Sequence, residues 1–338
     1  MALSDYYARL RAWGCVWVLG CYAAGLSLPV LNAATPAEDP RVATTSAAAR
    51  DAATKVLTSI RFTPAAQKKV SSVLEDVSLY RRLPRQTIDC EPDLYLHLIR
   101  NPELVVNMWT TLGVTKMVMD RVGQGVFQVQ DGEGTKGSVE LLASSDELQV
   151  IYSEGSYTGP LYPRTVRGRS LILLRSKYHS DARGRMLVSS DLDFFLAIEN
   201  FGVDLVARTF APSIGKAADH NFAETALFAS KLSRTAETNE PALIRLTEKL
   251  QRVTPESKEN FLRVASLVDD KLAAVRADTE QRQQEQVSAA QQAASGSPVV
   301  THSSNATVPR QPAGRIQPVR TQSPPGHRAA KPPVPGRK

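Results

Sequence analysis

Cysteine is scarce in this 338-residue chain: there are three, and Cys15 and Cys21 both fall in an apolar run near the N-terminus. Cys90 is left alone in the body. No internal disulfide is expected there, so stability has to come from packing. A lone Cys among apolar neighbours reads as a small buried side chain, and the sequence around Cys90 shows no activating group. Histidine is also rare, and His302 and His327 lie near the C-terminus, which leaves His97, His179 and His220 in the body. There is no G-x-S-x-G turn to present a nucleophile, no H-E-x-x-H, no Cys pair and no EF-hand loop. No catalytic set, metal or cofactor is therefore expected. "GEGTKGS" has glycines and a lysine but not the order of a phosphate loop, and fits a hairpin turn. The body also lacks a surplus of charge. Every basic residue after Ser295 (Arg310, Arg315, Arg320, Arg328, Lys331, Arg337, Lys338) stands in a stretch without acids, and the remainder balances its 34 acids. That argues against a nucleic-acid partner for the folded part.

Arg9 and Arg11 precede the apolar run "AWGCVWVLGCYAAGLSLPVL", and small residues follow in "NAATPA". This has the form of an export signal with cleavage after Ala34. The run is also long enough to stay as an anchor through residues 12–34, since about 20 apolar residues span a bilayer. "VLGC" loosely resembles a lipobox, with Cys21 as the lipidated residue. Each alternative places the body outside the cytoplasm, in the periplasm or cell envelope.

Residues 1–34 thus read as signal or anchor, 35–43 as linker and 44–83 as N-terminal helices. In "TPAAQKKVSSVLEDVSLYRRLP" Thr63 caps, Pro64 starts, Val70, Val73, Leu74 and Val77 form a stripe, and Pro84 ends the helix. "RQTIDC" reads as a strand and "PDLYLHLI" as a helix. "RNPELVVNMW" reads as a second helix, with Asn101 as cap, Pro102 in the first turn and Glu103 at the positive end of the dipole. Six strand-like runs follow between Thr115 and Glu199, separated by turn signals such as "GQG", "DGEG" and "SDARG". "GVDLVARTFAPSIGKAADHNFAETALFASKLSRTAE" reads as a long helical region divided by Pro212. Residues 238–292 read as two more helices, capped at Asn239 and Thr254, the last with a near-heptad apolar stripe from Phe261 to Val275. Residues 293–338 are Pro-, Ser- and Arg-rich and are expected to be a disordered basic tail. Such a tail is suited to contact an anionic membrane or polysaccharide.

The order of strand, two short helices, meander and long helix resembles the START-like, or SRPBCC, superfamily. The local resemblance is carried by "IDCEPDLYLHLIRNPELVVNMW", with Asn101, Pro102, Glu103 and Trp109, and by "DRVGQGVFQVQ". It implies an α+β helix-grip fold over residues 84–237: an antiparallel meander of six to seven strands around a long C-terminal helix, with flanking helices and the tail outside it. It also implies a hydrophobic cavity. The chain further resembles uncharacterised exported proteins of planctomycete-type bacteria, which implies no activity.

Under this resemblance Met117, Met119, Phe127, Tyr152, Phe195, Phe222 and Phe228 are candidate cavity walls. Arg167, Arg169 and Arg175 share one face of a strand, with Leu171 and Leu173 between them. That face reads either as a solvated one paired with acids such as Glu140 and Glu154, or as a cationic rim for an anionic head group. Tyr157, Tyr162 and His220 are the other candidates for a cavity mouth. Three functions follow. The first is a non-catalytic exported binder of a lipid-like, hydrophobic or amphiphilic small molecule. The second is an interaction protein of the cell envelope that uses the flanking helices and tail. The third is a cyclase- or aromatase-like enzyme, for which Asp219 and His220 are the available acid and base.

Overall fold

Residues 39–159, 162–199 and 211–295 are described by the structure, a computed structural model. The expected signal or anchor lies outside them, as does the expected tail from residue 296 onward. The chain divides into two units, 1–284 and 285–338. Of the second, only residues 285–295 are described, and all that follows concerns the first.

Two helices come first, α1 (Ala47–Ser59) and α2 (Pro64–Leu74), then two short strands, β1 (Leu79–Arg82) and β2 (Gln86–Ile88). Helices α3 (Pro92–Arg100) and α4 (Pro102–Thr111) lead into six consecutive strands. These are β3 (Val118–Gly123), β4 (Val126–Gln130), β5 (Thr135–Ser144), β6 (Leu148–Gly159), β7 (Tyr162–Ser180) and β8 (Met186–Ile198). Helices α5 (Ala211–Thr238), α6 (Glu240–Glu248) and α7 (Pro255–Ser295) complete the described chain. Among the described residues no helix is long and apolar enough to cross a membrane.

The six strands form an antiparallel meander, and β1 and β2 return to the free edge of β8, giving the order β1-β8-β7-β6-β5-β4-β3 with β2 also on β8. One face of this sheet carries α3, α4 and α5. This is a helix-grip fold of the α+β class. The other face carries α1 and α2: Ala53, Leu57, Val70 and Val73 pack on Val150, Leu171, Leu173 and Phe195. Both faces of the central strands are therefore covered by helices.

Several sequence signals act as read. Thr63 accepts from Ala66 N at 3.3 Å, Asn239 from Ala242 N at 3.2 Å and Thr254 from Ser257 N at 3.2 Å, each closing a helix start. Two signals act differently. The helix expected to run to Pro84 ends at Leu74, and Leu79–Arg82 is a strand paired with Leu196–Asp193 of β8. Its residues alternate: Tyr80 enters the core under α1, while Leu79 packs on Leu196 and Ile214 of α5. Sheet pairing with both faces buried overrides a helical stripe that continued only to Val77. Pro212 sits in the first turn of α5, where its missing N–H breaks no bond; residues 200–210, the other part of the helical region it was expected to divide, lie outside the described residues. Asn101 makes no side-chain cap to α4. Its Nδ2 donates to His97 O at 2.7 Å and its Oδ1 accepts from Arg121 Nη2 at 2.8 Å. A charged donor from β3 competes for that oxygen, and the charge-assisted bond wins.

A line without side chains crosses the middle strands of the sheet. Gly137 on β5 is paired with Gly155 on β6, and Gly155 with Gly168 on β7. A Cβ on Gly155 would lie 2.6 Å from Lys136 O and 3.1 Å from Gly137 Cα; one on Gly137 would lie 2.5 Å from Glu154 O. Adjacent backbones approach more closely than any other residue permits, which is how glycine lets a sheet curl.

Candidate functional site

Curling the sheet over α5 leaves a partly open cavity of about 230 Å³ within the first unit. Its walls come from three sources. The sheet supplies Phe127, Val129, Ile151, Ile172, Phe194 and Leu196, among others; α3 and α4 supply Leu98, Ile99, Val105, Val106 and Trp109; and α5 supplies Ile214, Ala218, Phe222, Phe228 and Ala229. The polar exceptions on the sheet's inner face are few. Ser153 and Ser170, cross-strand partners on β6 and β7, have their hydroxyls 2.6 Å apart. Deeper along the same face, the Tyr95 hydroxyl lies 2.8 Å from both Ser176 Oγ and Ser190 Oγ.

Helix α5 is held over the cavity at both ends. Near its start Arg81 of β1 forms a two-bond pair with Asp219, Nε to Oδ1 at 2.9 Å. Near its end Arg185, from the turn between β7 and β8, reaches Glu237 at 2.8 Å and Asp89 at 2.8 Å. The Ser230 and Ser233 hydroxyls of α5 accept from the backbone N–H groups of Asp89 and Glu91. These bonds join α5 to the segment between β2 and α3.

The "NPE…W" segment ties α4 into the same wall. Glu103 is 2% exposed and accepts from Arg121 Nε at 2.8 Å. The Arg121 guanidinium lies 4.7 Å from the centre of the Phe127 ring, which lines the cavity. Trp109 meets Phe228 of α5 edge-on, ring centres 5.7 Å apart. Burial raises the Glu103 carboxyl above the ordinary carboxylate range, against the pull of Arg121. The folded state therefore holds this proton more tightly than the unfolded chain. Its contribution is fully present at acid pH and is lost as pH rises through the folded-state value. Urea denaturation of wild type and Glu103→Gln between pH 4 and pH 7 checks this. The wild type is expected to gain on the variant as pH falls; a difference independent of pH would contradict it.

Of the sequence candidates, Met119, Phe127, Phe222 and Phe228 line the cavity. Met117 packs beside Met119, Phe127 and Val106 in the core at the β3–β5 end of the sheet, behind the wall. Tyr152 and Phe195 are buried on the opposite face, under α1 and α2. Arg167 and Arg169 border the space, but in the alternation of β7 they run with Leu171 and Leu173, toward that opposite face. Arg169 lies 3.6 Å from Asp76, just beyond α2, and 3.8 Å from Glu199. Arg175 reaches Asp193 at 2.6 Å. By alternation the arginine stripe runs to the outer face, where Arg169 and Arg175 are ion-paired, while Arg167 and Arg169 also border the cavity. Its partners are acids, as expected, but not the two named as examples: Glu140 pairs with Lys69, and Glu154 accepts from the Tyr152 hydroxyl. Tyr157 is buried against Gly159, and the side chain of Tyr162 lies outside the described ones. His220 stands between Asp219 and Asn221; Asn221 and Phe222 line the cavity, and His220 does not.

The remaining candidates for chemistry are structural. Cys90 is 1% exposed, and burial pushes its thiol up to about 12, far from the thiolate that a nucleophile needs. His97 packs 6.2 Å from Phe261 of α7; burial, then Arg263 and Arg121, pull it below the usual imidazole range. His179 is exposed near the end of β7. The Ser153–Ser170 pair and the glycine line were not singled out in the sequence. The turn pairs Gly159 with Tyr162, and a register shift between Tyr157 and Gly159 then places 153 against 170 and 155 against 168; a fold-back at "TGP" without that shift would set 153 against 168, so no sequence signal pointed to the pair.

No protein-family model and no curated protein matches this chain. Among solved structures it is similar to Ara h 8.0201, at 12% identity over 42% of this chain and 97% of that one, with a TM-score of 0.24. It is similar to apo dicamba monooxygenase at 12% identity, covering 58% of each chain, with a TM-score of 0.26. A third is the Zhui aromatase/cyclase from Streptomyces sp. R1128, at 10% identity over 45% of this chain and 90% of that one, TM-score 0.23. Likenesses at these scores carry no weight; the helix-grip fold stands on strand order, register and the long helix.

Proposed function

We propose that this is a non-catalytic binding protein of the START-like kind, exported to the periplasm or cell envelope. It holds a hydrophobic or amphiphilic small molecule between the sheet and α5. The observation that carries the reading is the cavity: about 230 Å³ with nearly uniform apolar walls. Protein interiors are close-packed. A partly open space with apolar walls is the usual form of a small-molecule site. Export is supported by the N-terminal pattern of two arginines, an apolar run and small residues.

A cyclase-like activity would draw on Asp219 or His220. Neither lines the cavity, and Asp219 is engaged by Arg81, which favours binding over catalysis. The test is to purify the full chain from its own cells, extract it with organic solvent and identify what is released by mass spectrometry. One apolar compound enriched toward one equivalent per chain is expected. Release of bulk membrane lipid alone, with a crystal structure showing the cavity closed by side chains, would contradict the proposal.

A further inference from the structure

The cavity's size bounds its occupant. Cavities of about 150 Å³ with aliphatic and aromatic walls take benzene, and drug-sized ligands use about 300–1,000 Å³. At about 230 Å³ the space suits one or two rings and is too small for a two-chain lipid.

The cavity floor says where a polar group would sit. Ser153 and Gly155 on β6 face Ser170 and Gly168 on β7. All four line the cavity, and they form a block of small residues in a wall otherwise mostly of Val, Ile, Leu and Phe. Each serine hydroxyl has one proton and two lone pairs. The 2.6 Å contact between them uses one proton. The other, with the remaining lone pairs, has no partner among the described residues. Ser170 is 7% exposed, so that unused capacity faces an apolar space rather than bulk water.

The charges around the cavity say what the polar group is not. Arg81 is engaged by Asp219, Arg121 by Glu103, Arg100 by Asp146, and Arg169 by Asp76 and Glu199. Arg167 is exposed on the outer parity of β7. A carboxylate or phosphate brought to the Ser153–Ser170 pair would lose its hydration there, and Arg167, the bordering cation without an ion pair among the described residues, runs to the outer face by the alternation of β7.

We infer that the ligand is a neutral molecule of one or two rings bearing a hydroxyl or carbonyl, and that this group is bound by the Ser153–Ser170 pair. The inference rests on the binding reading above and names its ligand class. The test uses three probes of one shape on the full chain, cleared of bound material and titrated by calorimetry at pH 7: naphthalene, 1-naphthol and 1-naphthoate. 1-Naphthol is expected to bind about fivefold more tightly than naphthalene, the gain of one hydrogen bond. 1-Naphthoate is expected to bind at least about tenfold more weakly than naphthalene. In Ser153→Ala/Ser170→Ala, which removes both hydroxyls and orphans neither, 1-naphthol is expected to bind no more tightly than naphthalene. The probe comparison on the unaltered chain stands even where the double variant does not fold. Naphthalene binding with no preference for 1-naphthol, or with 1-naphthoate equal or tighter, overturns the inference and leaves the binding reading in place. A preference for 1-naphthol that survives in the folded double variant also overturns it. If none of the three binds, the binding reading itself fails.

Discussion

Gly155→Val is expected to abolish folding or to cost more than about 4 kcal/mol, a size reserved for a few mechanisms. The new Cβ would sit 2.6 Å from Lys136 O and 3.1 Å from Gly137 Cα. Both are backbone atoms of the neighbouring strand, so no rotamer change relieves the overlap. Relief requires β5 and β6 to separate where Gly137 and Gly155 are paired, and Gly155 lines the cavity. Gly123→Ala in β3 is the control. Its nearest contact would be Val126 Cβ at 3.6 Å, an ordinary van der Waals distance, and a cost of about 1 kcal/mol or less is expected. Urea denaturation of both variants measures the contrast. Equal costs at the two glycines would mean that the close approach of β5 and β6 does not set the requirement for glycine.

Asp193→Ala is expected to cost about 3–5 kcal/mol. Its carboxylate is fully buried on the outer face of β8 and accepts from Tyr80 Oη at 2.6 Å, Arg82 Nε at 2.8 Å and Arg175 Nη2 at 2.6 Å. Removing it leaves two guanidinium groups, three-quarters and about two-thirds buried, beside a phenol with no acceptor. Arg175 Nε already lacks a partner. Asp193→Asn keeps an acceptor without the charge and is expected to fall between the two. Tyr80→Phe removes one hydrogen bond and is expected to cost about 1 kcal/mol. A loss below about 1 kcal/mol for Asp193→Ala in urea denaturation would show that the cluster holds α1 and α2 to the sheet only weakly.

Strand order and most helix boundaries were legible because their signals are local. Caps, prolines and turns mark where elements start, and a meander with short turns leaves few topologies. The cavity wall was legible where a strand has one wet face. On β4, Gln128 and Gln130 are exposed while Phe127 and Val129 are buried, so alternation identifies the inner residues. On β7 it identifies nothing, because "SLILL" is apolar at both parities: Leu171 and Leu173 serve the α1–α2 core while Ile172 and Leu174 serve the cavity. The same second layer draws Tyr152, Phe195 and the arginine stripe to the outer face. Nothing in their own strands announces that α1 and α2 pack there. The Ser153–Ser170 pair is a matter of register, fixed across a hairpin and invisible until the two strands are laid side by side.

The central claim, that the space between α5 and the sheet receives an apolar molecule, is tested most directly through Trp109. It lines the cavity and touches Phe228, and it is the chain's sole Trp beyond residue 17. Titration of the full chain with naphthalene is expected to shift the Trp109 emission along a saturable curve, and Trp109→Phe is expected to lose that signal. An emission that stays unchanged, or drifts linearly without saturation, in a chain that is otherwise folded would contradict the claim.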